Sequence, residues 1–154
     1  MKKLFIICFL IAIVTPSICF SQNPMSKEEQ VVAMYSMNKE LIKSQKYSFL
    51  ASWVISGKNR AEVDQNANTI KINESLISGT LTTINTDKTT LDLKGSLQNY
   101  NVIFNDASQQ ITITFSVGGY NAQIDIKPNG NSFLELTNNN EEKLTYRGGV
   151  KRTL

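Results

Sequence analysis

Between Leu97 and Lys151 the sequence alternates apolar and polar residues through five consecutive segments, at roughly 97–105, 110–117, 120–127, 132–138 and 143–150. Ile111, Ile113, Phe115 and Val117 alternate with Thr112, Thr114 and Ser116, and Tyr120, Ala122, Ile124 and Ile126 with Asn121, Gln123 and Asp125. A period of two means strands with one buried and one wet face. The turns between them fix how the strands pair. Gly118-Gly119 suits a two-residue hairpin, because glycine accepts the positive φ of primed turns. It sets Val117 opposite Tyr120, Phe115 opposite Ala122, Ile113 opposite Ile124 and Ile111 opposite Ile126.

Pro128-Asn129-Gly130 fits a three-residue turn and pairs Ile124 with Leu134 and Ala122 with Leu136. A loop at 139–141 pairs Leu136 with Leu144 and Leu134 with Tyr146, and the looser 105–110 connection sets Val102 by Ile113 and Tyr100 by Phe115. A slip of one residue would turn a whole apolar set outward. These turns instead agree on one face, in three layers. The first is Tyr100, Phe115, Ala122, Leu136 and Leu144; the second is Val102, Ile113, Ile124, Leu134 and Tyr146. The third is Phe104, Ile111, Ile126, Ser132 and Gly148. The other face is polar except for Ile103 and Phe133.

The N-terminus has a different grammar. Met1-Lys2-Lys3 precedes an unbroken apolar run from Leu4 to Val14, followed by Pro16 and the small residues Cys19 and Ser21. This is the layout of a secretory signal peptide spanning 1–21, too short for a membrane span. Lipidation at Cys19 is the weaker alternative, since bulky Ile18 precedes that cysteine. The expected product is a domain over 22–154 in the periplasm or outside the cell, with no membrane span after cleavage.

That product would have no cysteine, because Cys8 and Cys19 are the only two, and the chain has no histidine. Disulfides, soft-metal sites and Ser/His or Cys/His catalysis are excluded. Without Lys2 and Lys3, 14 basic residues nearly balance 13 acidic ones, which gives no reason to expect nucleic acid or an anionic membrane as a partner.

Ser26-Lys27-Glu28-Glu29 is a capping box, and Val31, Met34, Tyr35, Asn38, Leu41 and Ile42 follow helical spacing. One helix is expected over about 27–45. Tyr47, Phe49, Ala51, Trp53 and Ile55 then alternate as a strand, with Leu50 and Val54 on its other side. Gly57–Arg60 reads as a polar loop, and 68–73, 76–84 and 89–94 as shorter strands. The expected fold is mainly β (α+β): an N-terminal helix packed on a curved antiparallel meander of about eight or nine strands, barrel- or sandwich-like.

No motif implies an enzyme, a cofactor or a metal. Asp125 and Glu135 on neighbouring strands, with Arg147 nearby, could form a carboxylate pair, but the pattern gives no cleft to perturb them and a surface charge cluster is the simpler reading. Ile103, Asp125, Phe133 and Arg147 form a candidate contact patch, apolar and rimmed by charge. Trp53, Tyr100 and Phe115 are candidate pocket-lining residues. The leading expectation is a non-enzymatic binding module for another macromolecule, such as an envelope protein. The alternative is a carrier of a small apolar ligand inside a partly closed barrel.

The succession of leader, helix, Phe49-Leu50-Ala51 strand and meander, with Asn129-Gly130 and a closing Tyr146-Arg147-Gly148, resembles domain-of-unknown-function family 4251, small exported proteins of Bacteroidetes-type bacteria. The resemblance implies an exported β-rich domain, with Gly148 as the glycine after the last core tyrosine. It carries over no activity.

Overall fold

The computed structural model describes residues 25–84, 89–140 and 142–153; the leader expected at 1–21 lies outside them. Helix α1 spans Lys27–Lys43, and ten strands follow: β1 Lys46–Ser56, β2 Asn59–Glu62, β3 Thr69–Asn73, β4 Leu76–Thr82, β5 Thr90–Ser96, β6 Gln98–Asn105, β7 Gln110–Val117, β8 Tyr120–Ile126, β9 Ser132–Thr137 and β10 Lys143–Arg152. The sheet runs β5-β4-β3-β1-β10-β9-β8-β7-β6, antiparallel at every pairing, with β2 beside the far end of β1. It curls into a half-barrel around one core.

The meander from β6 to β10 has the register that its turns dictate. Val117 faces Tyr120, Ile113 faces Ile124, Ile124 faces Leu134, and Leu134 faces Tyr146. The third layer runs unbroken from Phe104 through Ile111, Ile126 and Ser132 to Gly148. Gly118 and Gly119 take the positive φ values, 56° and 82°, that the tight hairpin needs. One pairing differs from expectation. Asn99, at φ 53°, interrupts the β6–β7 ladder between Gln98 and Asn101, so Tyr100 has no regular partner at Phe115. Its hydroxyl instead meets that of Tyr47 across the curl at 3.2 Å.

β1 joins the two halves. Its first residues pair with β3 and its last with β2, while β10 runs along its other side. Tyr47, Phe49 and Ala51 face inward; their partners across the ladder are Val150 and Gly148 for the last two and, at the frayed end, exposed Arg152 for Tyr47. The alternation then breaks, because an extra residue at Ser52 makes a β-bulge. Beyond it Val54 points inward and is buried, opposite Tyr146, while Trp53 lies opposite Arg147 and Ile55 opposite Thr145 on the outer face. The expected alternation of Trp53 and Ile55 with Phe49 fails for that reason. Ser52 Oγ donates to the Arg147 carbonyl at 3.1 Å. Gly148 lets the backbones close up, since a Cβ there would lie 1.9 Å from the Leu50 oxygen.

β2 is a strand where a loop was expected. Asn59-Arg60-Ala61-Glu62 has almost no apolar signal, and only pairing with β1 makes it extended. The capping box starts α1 as expected, Ser26 Oγ accepting from Glu29 N at 3.2 Å and the Glu29 carboxylate from Ser26 N at 2.8 Å. These hydrogen bonds to the Ser26 backbone and hydroxyl hold the Glu29 carboxyl below its ordinary range.

Tyr35, Asn38 and Ile42 are the buried stripe of α1 and join the core of the sheet. The helix is tied to the β6–β7 turn, where Tyr35 Oη donates to Asp106 Oδ1 at 2.7 Å and Lys39 Nζ reaches the same oxygen at 2.6 Å. Lys39 also stands 5.5 Å from the ring centres of Tyr35 and Phe104. Lys39 and Tyr35 together hold the Asp106 carboxyl low. Met34 lies over Gly130 in the β8–β9 turn. α1 therefore covers the end of the curl that those two turns mark.

Candidate functional site

The outer face of the half-barrel carries one row that departs from its polar surroundings. Reading across strands, it runs Ile103, Thr112, Asp125, Phe133, Arg147, Trp53 and Glu62. At about 4.8 Å per strand, the distance from Ile103 on β6 to Trp53 on β1 is roughly 24 Å. Ile103 is 56% exposed, high for an isoleucine. Phe133 and Trp53 are half-buried and stand on either side of exposed Arg147.

The polar members differ in how they are satisfied. The Asp125 carboxylate accepts from Thr112 Oγ1 at 2.7 Å and Gln123 Nε2 at 3.1 Å, with Gln110 Nε2 at 3.5 Å. It is thus held by neutral donors. Glu135 belongs to the adjacent row and pairs with Lys143 at 2.6 Å. Asp125 and Glu135 therefore answer to different partners, and nothing in their surroundings marks a catalytic pair. Arg147 makes no ion pair among the described residues. The Arg60 guanidinium lies 5.9 Å from the Trp53 ring centre, within reach of cation–π attraction.

The four patch residues read from the sequence thus share one row. The three proposed for a pocket do not come together. Phe115 is buried on the inner face, Tyr100 reaches Tyr47 inside the curl, and Trp53 is on the outer face as the bulge requires. Trp53 joins the patch instead. Local pattern carries little signal of this, because both Trp53 and Val54 are apolar and either phase fits β1.

The middle of the inner face is closely filled. Ile111, Ile113, Ile124, Leu134 and Tyr146 have no accessible surface, so no water-sized space lies beside them. The Tyr146 hydroxyl sits in this core without a hydrogen-bond partner among the described residues. Burial pushes its pKa well up, and that of Tyr47 further. Among the described residues no group of three or more His, Cys, Asp or Glu side chains could hold a metal ion, and no helix is long and apolar enough to cross a membrane.

The family model for a domain of unknown function (DUF4251) matches residues 29–150. The chain belongs to this family. A crystal structure of a DUF4251 family protein from Bacteroides eggerthii superposes with a TM-score of 0.66 at 19% identity, over 80% of this chain and 91% of that one. At that identity the likeness speaks for the fold. No curated protein matches the chain. The family's span, 29–150, takes in all but the first two residues of α1, the bulge at Ser52 and the meander up to Val150 of β10, including Gly148.

Proposed function

We propose that this DUF4251 protein is an exported, non-enzymatic binding module that holds a protein partner against its outer face, along the row Ile103–Asp125–Phe133–Arg147–Trp53. The observation that carries this reading is that Trp53 and Phe133 flank an uncompensated Arg147 in one cross-strand row. Aromatic residues and arginine dominate the energetics of protein interfaces. The sheet supplies a rigid base, since Ile111, Ile113, Ile124, Ile126, Leu134 and Tyr146 beneath the row are buried. The middle of the interior is packed, and the cavity of about 490 Å³ beside Leu91, Tyr120 and Leu144 is ringed by threonines, Asn138, Glu142 and Lys143, a polar lining that favours the outer face over an apolar carrier role. Export rests on the basic start, eleven-residue apolar run and small residues of segment 1–21.

The test is site-specific photo-crosslinking in the native cell. A photoreactive residue at Phe133 should give a discrete protein adduct that Arg147→Glu abolishes, while the same group at exposed Met37 of α1 should not. Equal labelling at both sites, or an adduct indifferent to Arg147→Glu, overturns the proposal. N-terminal sequencing of the periplasmic and secreted fractions should find a chain starting at Gln22; a chain kept whole in the cytoplasm would refute export.

A further inference from the structure

A second strip of the outer face lies towards the other end of β1, away from Trp53. Here β5, β4, β3, β1 and β10 lie side by side, and their register sets Lys94 beside Ser78, Ser78 beside Lys71, Lys71 beside Ser48, and Ser48 beside Lys151. The result is a lysine–serine–lysine–serine–lysine ladder straight across five strands. With strands about 4.8 Å apart, a cation recurs about every 10 Å. Lys71, Lys94 and Lys151 make no ion pair among the described residues. Lys46, at the rim, is neutralised by Glu74 at 3.2 Å.

The strip is grooved. One cleft of about 540 Å³ is walled by Lys46, Lys71 and Lys94 over a floor that includes Leu76, itself 53% exposed. A second, of about 280 Å³, lies between Lys71, Lys151 and Arg152. The two share Lys71 and Thr153, and no carboxylate side chain lines either. Between the lysines stand hydroxyls: Ser48 Oγ and Thr153 Oγ1 bond to each other at 2.9 Å, and Thr69 lines the second cleft. A nearly neutral chain has thus gathered five cations on one strip, an asymmetry that net charge conceals.

We infer that this strip binds an acidic glycan strand lying across the β-strands, with one anionic group for every two sugar units. A polymer charged on alternate units matches cations on alternate strands; exposed Ser78 faces an uncharged sugar, while buried Ser48 holds the Thr153 hydroxyl at the cleft wall. The cations lie along clefts, which suits a linear ligand better than a flat lipid surface. Nucleic acid fits less well: DNA carries a charge every 3.4 Å along each strand, and single strands need aromatic side chains for stacking, which neither cleft has.

The experiment titrates the mature chain, Gln22–Leu154, with a hyaluronan oligosaccharide, which bears a carboxylate on every second sugar, following heat or fluorescence anisotropy. Saturable binding that weakens with added salt is expected. Lys71→Glu, at the centre of the ladder, should weaken it at least tenfold, while Lys58→Glu in the β1–β2 turn should leave it unchanged; circular dichroism checks that both variants fold. Absence of binding, or binding indifferent to Lys71→Glu, overturns the inference. Equal or tighter binding of neutral dextran, phosphatidylglycerol vesicles or a single-stranded oligonucleotide also overturns it.

Discussion

Gly148→Ala should be among the most damaging single-methyl additions in this protein, and Gly149→Ala next to it among the mildest. A Cβ on Gly148 would stand 1.9 Å from the Leu50 oxygen, 2.8 Å from its carbonyl carbon and 3.0 Å from Ala51 Cα, whereas ordinary contact begins near 3.4 Å. The shortfall is 1.5 Å, against backbone that cannot rotate aside as a side chain can. Relief requires β1 and β10 to part where the Ser52 bulge is held to the Arg147 carbonyl. Overpacking costs about 1–3 kcal/mol, occasionally more, and a lost hydrogen bond about 1 kcal/mol. Gly148→Ala should therefore lose about 2–4 kcal/mol, a large part of a typical stability of about 5–15 kcal/mol. A Cβ on Gly149 would meet nothing within 4 Å, so that variant should stay within about 0.5 kcal/mol of the parent. Urea unfolding of the three chains measures both, and Gly148→Ala should also lower Tm by roughly 6–15 °C. If the two variants fall within about 1 kcal/mol of each other, the close approach of β1 to Gly148 is not what the geometry says.

Other expectations follow from the core. Ile113→Ala and Ile124→Ala should each cost about 2–5 kcal/mol, while Thr114→Ala on the outer face should stay within about 0.5 kcal/mol; denaturant melts that rank Thr114 as costlier would refute the register. Tyr146→Phe removes a buried hydroxyl that has no partner, so it should leave stability unchanged or raise it by up to about 1 kcal/mol; a loss of 2 kcal/mol or more in the same melts would reveal a hidden bond. Alkali should unfold the protein. Desolvation first, then the Asp106 hydrogen bond and charge, pushes Tyr35 up to about 12, and burial raises Tyr47, Tyr100 and Tyr146 too. A folded pKa above the unfolded value means the stabilisation is full below about pH 10 and is lost as pH climbs through the folded values. Melts at about pH 9 and about pH 11 should show that loss, smaller in Tyr35→Phe; an unchanged stability across the range would refute it.

The β6–β10 meander was legible because each turn carries its own chemistry and each strand a clean period of two. Gly118-Gly119 and Gly130 fix loop lengths, and loop length fixes register. β1 resisted the same reading. Its bulge at Ser52 lies where Gly148, nearly a hundred residues later in the chain, closes on Leu50 and Ala51, and no local pattern records that. β2 is extended only because β1 lies beside it. The patch at Phe133 and Arg147 was visible as apolar residues in the wrong phase, whereas Trp53 joined it only through the bulge. The lysine ladder escaped notice for a different reason: its members come from strands with no short turn linking all of them, so no chain-order reading sets Lys94, Lys71 and Lys151 together.

The seam of this sheet joins its first strand to its last, with Tyr47 beside Arg152 and Ile55 beside Thr145. During synthesis, then, β1 emerges about a hundred residues before the strand that completes it. Hairpins such as β7–β8 can form at once, but the sheet is not complete until the ten residues of β10 are free, and such long-range pairing is intrinsically slow. β10 is thus the latch of the fold, and β1 waits for it with one edge open.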